Sequence, residues 1–268
     1  NSITNKLELL RSAQGLTDNV IHDIITDEEK NIWFASDGNG IYRMRPHSNM
    51  VYDVSSGMSG NVTMSILESK NGEIYAGSME HGLSLIKPGG VVKTLTDLGI
   101  MGSSVKIISA AESCDGSMWI GTIGSGLWNL SLKNNRYNSV QVKGTPPNIT
   151  SLYEHTDSTL WISTPWGLYR YKDKSIQRIK GITNSCFTVS PYVKDSLLVG
   201  TGAGIRVIHA KADSARTFVL EELNKFLIGS IKDYKDYLAI GTSENGIYLW
   251  NRLYTNSKLV NCNESSGL

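Results

Sequence analysis

A pattern of about 42 residues recurs six times along the chain, and this repetition constrains the fold more than any other feature. Each copy has an apolar segment centred on one residue that is usually large. A small residue follows two positions later, and a Gly then precedes the next apolar segment. The central residues of the six copies are Trp33, Tyr75, Trp119, Trp161, Leu198 and Ala239, spaced 42, 44, 42, 37 and 41 residues apart. A fixed period of this length indicates a series of similar supersecondary units.

Each copy has the pattern of four short strands. In the first, the apolar segments Val20–Thr26, Ile32–Ser36, Ile41–Met44 and Val51–Val54 are separated by polar or Gly-rich segments of a few residues. Short connections of this kind join antiparallel neighbours, so each copy predicts a four-stranded meander. Residues 219–227 alone have helical spacing of apolar residues, and they fall inside a repeat.

A four-stranded sheet repeated every 40–45 residues is typical of a β-propeller blade. We therefore predict an all-β fold, a β-propeller of about six four-stranded antiparallel blades. The small residues, such as Gly77, Gly121 and Gly200, would let adjacent blades approach, and Trp33, Trp119 and Trp161 would fill the space between blades. The predicted blades are residues 15–56, 57–98, 99–143, 144–181, 182–223 and 224–262.

The two ends of the sequence extend beyond these six repeats. Residues 1–14 are predicted to hold the outer strand of a preceding blade, and residues 263–268 the start of a following one. The expectation is a segment of a larger propeller array. A six-bladed ring and part of a seven-bladed one are both compatible with the pattern.

Charge and cysteine content exclude several classes of protein. The chain has 26 Lys and Arg against 25 Asp and Glu, a formal net charge of +1, which disfavours nucleic acid as a partner. No apolar run is long enough to span a membrane. Cys114, Cys186 and Cys262 are widely separated and predict neither a disulfide framework nor a zinc site.

Three segments carry a resemblance to a known family. Residues 15–21, 32–43 and 118–128 resemble the two-component regulator propeller repeat. That resemblance implies the periplasmic sensor region of a hybrid two-component system of Bacteroides-type bacteria. In such systems two propellers precede an immunoglobulin-like domain, a membrane helix and a histidine kinase, and the inducers are typically oligosaccharides. The adjoining propeller and immunoglobulin-like domains would then be partners of this segment, with the membrane and kinase regions outside it.

The sequence offers no catalytic, metal or cofactor site. The five His residues are dispersed and form no metal-binding pair. The Gly-rich segments 121–126 and 200–204 lead into predicted strands, whereas a dinucleotide-binding loop leads into a helix. The acidic pairs Glu28-Glu29 and Glu221-Glu222 are interpreted as solvated surface.

Ligand binding is predicted where loops converge at one end of the strands. The turns between second and third strands and the connections between blades emerge on the same face of a propeller. Their carboxylates and amides suit sugar hydroxyls and Trp166 suits a sugar ring face, although tight turns favour the same polar residues. The candidates are Asp37, Asn39, Glu80, His81, Trp166, Glu244 and Asn245 in the turns, and Asn19, Asn61 and Asn148 in the connections.

The predicted function is a non-catalytic, periplasmic, ligand-sensing propeller segment that recognises an oligosaccharide and relays its binding to a kinase. One alternative is an interaction scaffold, in which the propeller binds a protein partner or forms a homodimer. A second alternative is a carbohydrate-active lyase or hydrolase, whose catalytic groups would converge from different blades.

Overall fold

The computed structural model describes residues 20–44, 49–95, 104–134, 136–193, 195–217, 220–234, 237–243, 245–251 and 259–262. Within these ranges the chain forms six four-stranded sheets, and the strand order in every sheet follows the order in the sequence. The predicted all-β fold of four-stranded antiparallel blades is confirmed. The strands predicted in residues 1–14 and 263–268 lie outside the described residues.

The first three sheets contain β1 to β12. Sheet 1 consists of β1 (Ile21–Thr26), β2 (Ile32–Ser36), β3 (Ile41–Met44) and β4 (Asn49–Tyr52). Sheet 2 consists of β5 (Thr63–Glu68), β6 (Ile74–Ser78), β7 (Gly82–Ile86) and β8 (Val92–Thr94). Sheet 3 consists of β9 (Lys106–Glu112), β10 (Met118–Ile123), β11 (Leu127–Lys133) and β12 (Arg136–Gln141).

The last three sheets contain β13 to β24. Sheet 4 consists of β13 (Ser151–Glu154), β14 (Leu160–Thr164), β15 (Gly167–Lys172) and β16 (Ser175–Arg178). Sheet 5 consists of β17 (Cys186–Pro191), β18 (Ser196–Thr201), β19 (Gly204–His209) and β20 (Arg216–Thr217). Sheet 6 consists of β21 (Ile228–Tyr234), β22 (Tyr237–Thr242), β23 (Ile247–Asn251) and β24 (Val260–Cys262).

One strand prediction needs correction, and the one segment with helical spacing forms no α-helix among its described residues. The fourth strand of the first repeat ends at Tyr52 instead of Val54, because Asp53 caps a short 3-10 helix, Val54–Ser56, by accepting a hydrogen bond from the Ser56 backbone. The segment with helical spacing forms only a 3-10 turn, Glu221–Leu223, among its described residues. Within a repeat of β strands, the tertiary environment overrides a short amphipathic pattern.

The chain divides into two compact units. The described part of the first unit lies within residues 11–162 and 171–176, and that of the second within 163–170 and 177–268. In the first unit the leading strands of successive sheets pack together, β1 on β5, β5 on β9, and β9 on β13. In the second unit β17 packs on β21 in the same way.

The small residue of the repeat is required where neighbouring sheets meet, as predicted. A Cβ atom at Gly77 would lie 2.5 Å from Ile107 Cγ2, and one at Gly121 would lie 2.7 Å from Ile149 Cγ2. Both isoleucines belong to the following repeat within the first unit. Because real Cβ atoms do not approach other atoms this closely, glycine allows these sheets to pack at their observed separation.

The large residue of the repeat is buried in some copies and only half-buried in another. Trp33 and Trp161 are 3% and 0% exposed, which confirms their predicted place in the core. The same prediction is wrong for Trp119, which is only half-buried. Its ring lies edge-on to the ring of Tyr171, and its indole nitrogen donates to Glu154 Oε2 at 2.5 Å.

Candidate functional site

Five of the six turns between second and third strands, those of sheets 1, 3, 4, 5 and 6, share one hydrogen-bonding pattern. A Ser or Thr in the last two residues of the second strand donates its hydroxyl to the carbonyl of the Gly three or four residues later, at 2.8–3.0 Å. The same oxygen accepts a backbone N–H from inside the turn. The pairs are Ser36 with Gly40, Thr122 with Gly126, Thr164 with Gly167, Thr201 with Gly204, and Thr242 with Gly246.

This pattern shows which groups hold the backbone of these five turns. Because the hydroxyl and the glycine fix the turn, the side chains between them are not needed to hold the backbone in place. Sequence reasoning missed these hydroxyl groups, although a Ser or Thr recurs at this position in all six copies. In these five turns the candidate side chains take no part in the hydrogen bonds between the hydroxyl and the turn backbone.

In the first turn Asp37 is paired with a histidine that the sequence did not single out. Asp37 Oδ1 lies 2.8 Å from His22 Nε2, and both groups remain accessible to solvent. His22 belongs to β1, the leading strand of the same sheet, whose end reaches the turn between β2 and β3. Asn39 is exposed in this turn, and its backbone N–H donates to Ser36 Oγ at 3.1 Å.

The structure brings Asn61 and Glu80 together beside that turn. Glu80 Oε2 accepts from the backbone N–H of Asn61 at 2.6 Å, and the Asn61 carbonyl accepts from Gly40 N at 2.8 Å. The Asn61 side-chain oxygen accepts from Val54 N at 3.0 Å. His81 is exposed next to Glu80. These contacts use one oxygen of each side chain to join successive loops of the first unit.

Asn148 supports the turn of the third sheet. Its Oδ1 accepts from Gly124 N at 2.8 Å. Beside this turn, residues 124–126, 141–145 and 147 line a shallow cavity of about 270 Å³ at the predicted end of the strands. Segments 121–126 and 200–204 both lead into strands, so their interpretation as turns is confirmed.

In the second unit Trp166 presents its ring to solvent from a fixed backbone. The side chain is 46% exposed, while the Trp166 N–H donates to Thr164 Oγ1 at 3.1 Å. Its carbonyl accepts from Arg178 Nη2 at 2.7 Å. Asn245 is half-buried in the corresponding turn of sheet 6, and its N–H donates to Thr242 Oγ1 at 3.1 Å. Asn19 and Glu244 lie outside the described residues.

Other chemistry is limited among the described residues. No group of three or more His, Cys, Asp or Glu side chains in these ranges is placed to hold a metal ion. Within the same ranges, no helix has both the length and the apolar character needed to cross a membrane. Cys114 and Cys186 form no disulfide among the described residues, and burial raises the pKa of Cys186 to about 12.

One family matches part of the sequence. Residues 15–38 match the model of the family described as two component regulator propeller. This segment reaches from before β1 to the turn after β2, and the match confirms the resemblance predicted for the first repeat. No curated protein matches the chain.

Solved structures share the fold over almost the whole chain. The extracellular domain of a candidate hybrid two component system from B. thetaiotaomicron is 20% identical, with a TM-score of 0.78 over 96% of this chain. A second such domain from the same species is 15% identical, with a TM-score of 0.75 over 94% of this chain. The chain spans only 36% and 37% of the lengths of these two structures.

An enzyme also shares the architecture. Virginiamycin B lyase from Staphylococcus aureus is 12% identical, with a TM-score of 0.66 over 91% of this chain and 88% of its own length. At these identities the likenesses establish the β-propeller fold, and function has to be argued from the site.

Proposed function

We propose that this chain is a ligand-sensing β-propeller segment of the periplasmic sensor region of a hybrid two-component system, and that its ligand is an oligosaccharide. The observation that carries the proposal is the family match at residues 15–38, together with the likeness to extracellular domains of candidate hybrid systems over 96% of the chain. The proposed partners are an adjoining propeller and an immunoglobulin-like domain of the same protein.

The exposed turn residues have the chemistry that sugar recognition needs. Carboxylates and imidazoles accept and donate hydrogen bonds to hydroxyl groups, and Asp37, His22 and His81 are accessible at one end of the first unit. An exposed indole can stack on the apolar face of a sugar ring, and Trp166 presents such a surface in the second unit. Each unit thus contributes groups suited to hydroxyl-rich ligands.

The proposed signal is a shift between two arrangements of neighbouring domains. A ligand changes such an equilibrium only through a difference in its affinity for the two arrangements. Hydrogen bonds fix the backbones of the turns, so a bound glycan would contact rigid loops. Its higher affinity for one arrangement would then favour that arrangement of the adjoining domains. The kinase that reads this preference would lie outside the chain.

We further propose that the glycan is bound without being cleaved. The fold alone does not decide this point, because virginiamycin B lyase has a similar fold. Incubation of the chain with each bound glycan, followed by chromatographic sizing, should return the glycan at its original length. Shortened or unsaturated products would favour the lyase or hydrolase alternative instead.

Calorimetric titration of glycan fragments from gut polysaccharides tests the binding proposal. At least one fragment should bind saturably, and Trp166→Ala should weaken it about 10-fold, the loss expected for an aromatic contact of about 1.4 kcal/mol. Tyr237→Ala is the matched control, because Tyr237 is also an exposed aromatic residue of the second unit but begins β22 at the opposite end of the strands. Absence of binding by every fragment, or equal weakening by both variants, would contradict the proposal.

A further inference from the structure

Two arginines of the second unit lie at the same end of the strands as the exposed ring of Trp166. Arg178, the last residue of β16, is exposed and donates from Nη2 to the Trp166 carbonyl at 2.7 Å. Arg206, from β19, is half-buried and donates from Nη1 to the carbonyls of Ala203 and Ile205, both at 3.1 Å. One terminal nitrogen thus anchors each arginine to the backbone at the turn end of the strands.

Hydrogen bonds join the turns of sheets 4 and 5. Ser185, in the connection between these two sheets, donates its hydroxyl to the Pro165 carbonyl at 3.0 Å. The Ser185 carbonyl in turn accepts from Gly202 N at 2.9 Å. The turn that carries Trp166 and the turn that precedes Arg206 are therefore held to the same residue, and they form neighbouring parts of one surface.

No carboxylate neutralises these two arginines. In the described part of the second unit neither forms an ion pair, whereas Arg170 lies 2.6 Å from a carboxylate oxygen of Asp213. Burial raises the pKa of the Cys186 thiol at the start of β17, and the positive charges of Arg178 and Arg206 oppose this rise. The two guanidinium groups therefore act on one place, the start of β17.

Both arginines keep donors that a ligand can reach. Nε and Nη1 of Arg178, and Nε and Nη2 of Arg206, have no acceptor among the described residues, and these atoms are not buried. Such N–H groups bind carboxylate and sulfate oxygens strongly, because the hydrogen bond is assisted by charge. The connection between sheets 5 and 6 adds Glu221, Glu222 and Lys225, so the five side chains together remain positive.

We propose that the glycan bound at Trp166 is acidic, and that Arg178 and Arg206 hold its carboxylate or sulfate group. This inference rests on the proposed function and narrows its ligand to oligosaccharides that carry negative charge. The indole of Trp166 would stack on one sugar ring, and the anionic group of that sugar or the next would accept from the free guanidinium N–H groups. A neutral sugar would stack on the same ring but would gain nothing from the two charges.

Two other anionic ligands suit this surface less well. Nucleic acid binding needs a wide basic surface, whereas the chain has a formal net charge of +1. A free phosphate or sulfate ion would use the arginines but would leave the ring of Trp166 without a partner. An acidic oligosaccharide uses both the aromatic ring and the positive charges.

Calorimetric titration of the whole chain with matched acidic and neutral glycans tests the proposal. Trigalacturonate and a hyaluronan tetrasaccharide carry carboxylates, and a keratan sulfate disaccharide carries sulfate without a carboxylate. Each probe is compared with its neutral counterpart, which is carboxyl-reduced or desulfated. At least one acidic probe should bind saturably and at least about 10-fold more tightly than its counterpart, and the arm in which this occurs identifies the anionic group.

The possible failures of this test are distinguishable. Neutral counterparts that bind as tightly as the acidic probes would overturn the acidic ligand and leave glycan sensing in place. Absence of saturable binding by every acidic and neutral glycan would overturn both proposals.

Matched variants separate the two charges from effects on folding. Arg178→Gln and Arg206→Gln should each weaken the acidic probe about 10-fold and change binding of its neutral counterpart by less than about 2-fold. Arg216→Gln is the control, because Arg216 is exposed in the same unit but pairs with Val207, which places it on the opposite face of sheet 5 from Arg206. Equal weakening of acidic and neutral probes, or the same weakening by Arg216→Gln, would also overturn the proposal.

Discussion

Glu154 is expected to stabilise the first unit more than any equivalent residue of the repeat. It ends β13, and its carboxylate reaches the hairpin loop of the preceding sheet. Oε1 accepts from Cys114 N at 3.0 Å and from Ser113 Oγ at 3.2 Å, while Oε2 accepts from Trp119 Nε1 at 2.5 Å. Glu154→Ala would therefore remove the acceptor of three donors at once.

The expected loss follows from these three contacts. A hydrogen bond to a charged group contributes about 1.5–3 kcal/mol when it is buried and less when solvent can replace it. Glu154 is half-buried and Cys114 is exposed, so the contacts should add to roughly 2–4 kcal/mol in the free energy of unfolding. Glu112→Ala, which removes one backbone contact at 3.3 Å, should lose only about 0.5–1.5 kcal/mol.

Urea denaturation followed by circular dichroism measures both losses under the same conditions. The difference between the variants is the informative quantity, because the two glutamates occupy equivalent positions in adjacent sheets. Glu154→Gln should fall between wild type and Glu154→Ala, since the amide keeps one acceptor. A loss below about 0.5 kcal/mol for Glu154→Ala, or equal losses at the two positions, would refute the reasoning.

Three further outcomes are expected from other parts of the chain. Gly121→Ala should lower the unfolding free energy by about 1–3 kcal/mol through overpacking. Gly229→Ala is the control, because its added carbon meets nothing closer than 4.0 Å, and it should change the unfolding free energy by less than about 0.5 kcal/mol. Equal effects of the two substitutions would contradict the packing role of Gly121. Iodoacetamide at about pH 8 should modify the exposed Cys114 and spare buried Cys186, and peptide mass spectrometry showing equal modification would contradict that placement. Burial opposes ionisation of Asp27, but hydrogen bonds lower its pKa in the folded state. Its contribution to stability should therefore be complete above the unfolded-state pKa of 3.8 and be lost as the pH falls through the lower folded-state pKa. An Asp27→Asn variant that loses stability in acid as steeply as the wild type would contradict this expectation.

The repeat made much of the fold predictable from sequence. The bounds of β2 and β3 agree with their apolar segments, and the buried position of Trp161 follows from its place in the repeat. The alternation of apolar and polar residues along a strand and the presence of glycine at a turn depend only on neighbouring residues, so they can be read from the sequence. The close approach of adjacent sheets at Gly121 was also predictable, because it depends only on the small size of the residue.

Contacts between repeats were not predictable in this way. Glu68, Glu112 and Glu154 recur at one repeat position, yet each accepts a backbone hydrogen bond from the preceding repeat, 40 or 42 residues earlier. The sequence shows the periodic glutamate, but only the stacking register of the sheets shows which donor it meets. Trp119 was misjudged for the same reason, since its burial depends on Tyr171 and Glu154 from the following repeat.

The candidate site was partly accessible to sequence reasoning. Trp166 was recognised as unusual for a turn, and it is exposed as expected. The pairing of Asp37 with His22 and the use of the Asn148 oxygen by Gly124 depend on distances between separate segments.

Hydrogen exchange of the chain with and without a glycan that binds it tests the central claim most directly, because it locates recognition along every strand at once. The account predicts that slowed exchange will concentrate in the turns between second and third strands, at residues 36–40, 78–82 and 164–167. The hairpin loops at the other end, residues 27–31 and 113–117, should exchange unchanged. Protection confined to those hairpin loops, or absent from all the turns, would contradict the claim that this chain senses its ligand through the turns.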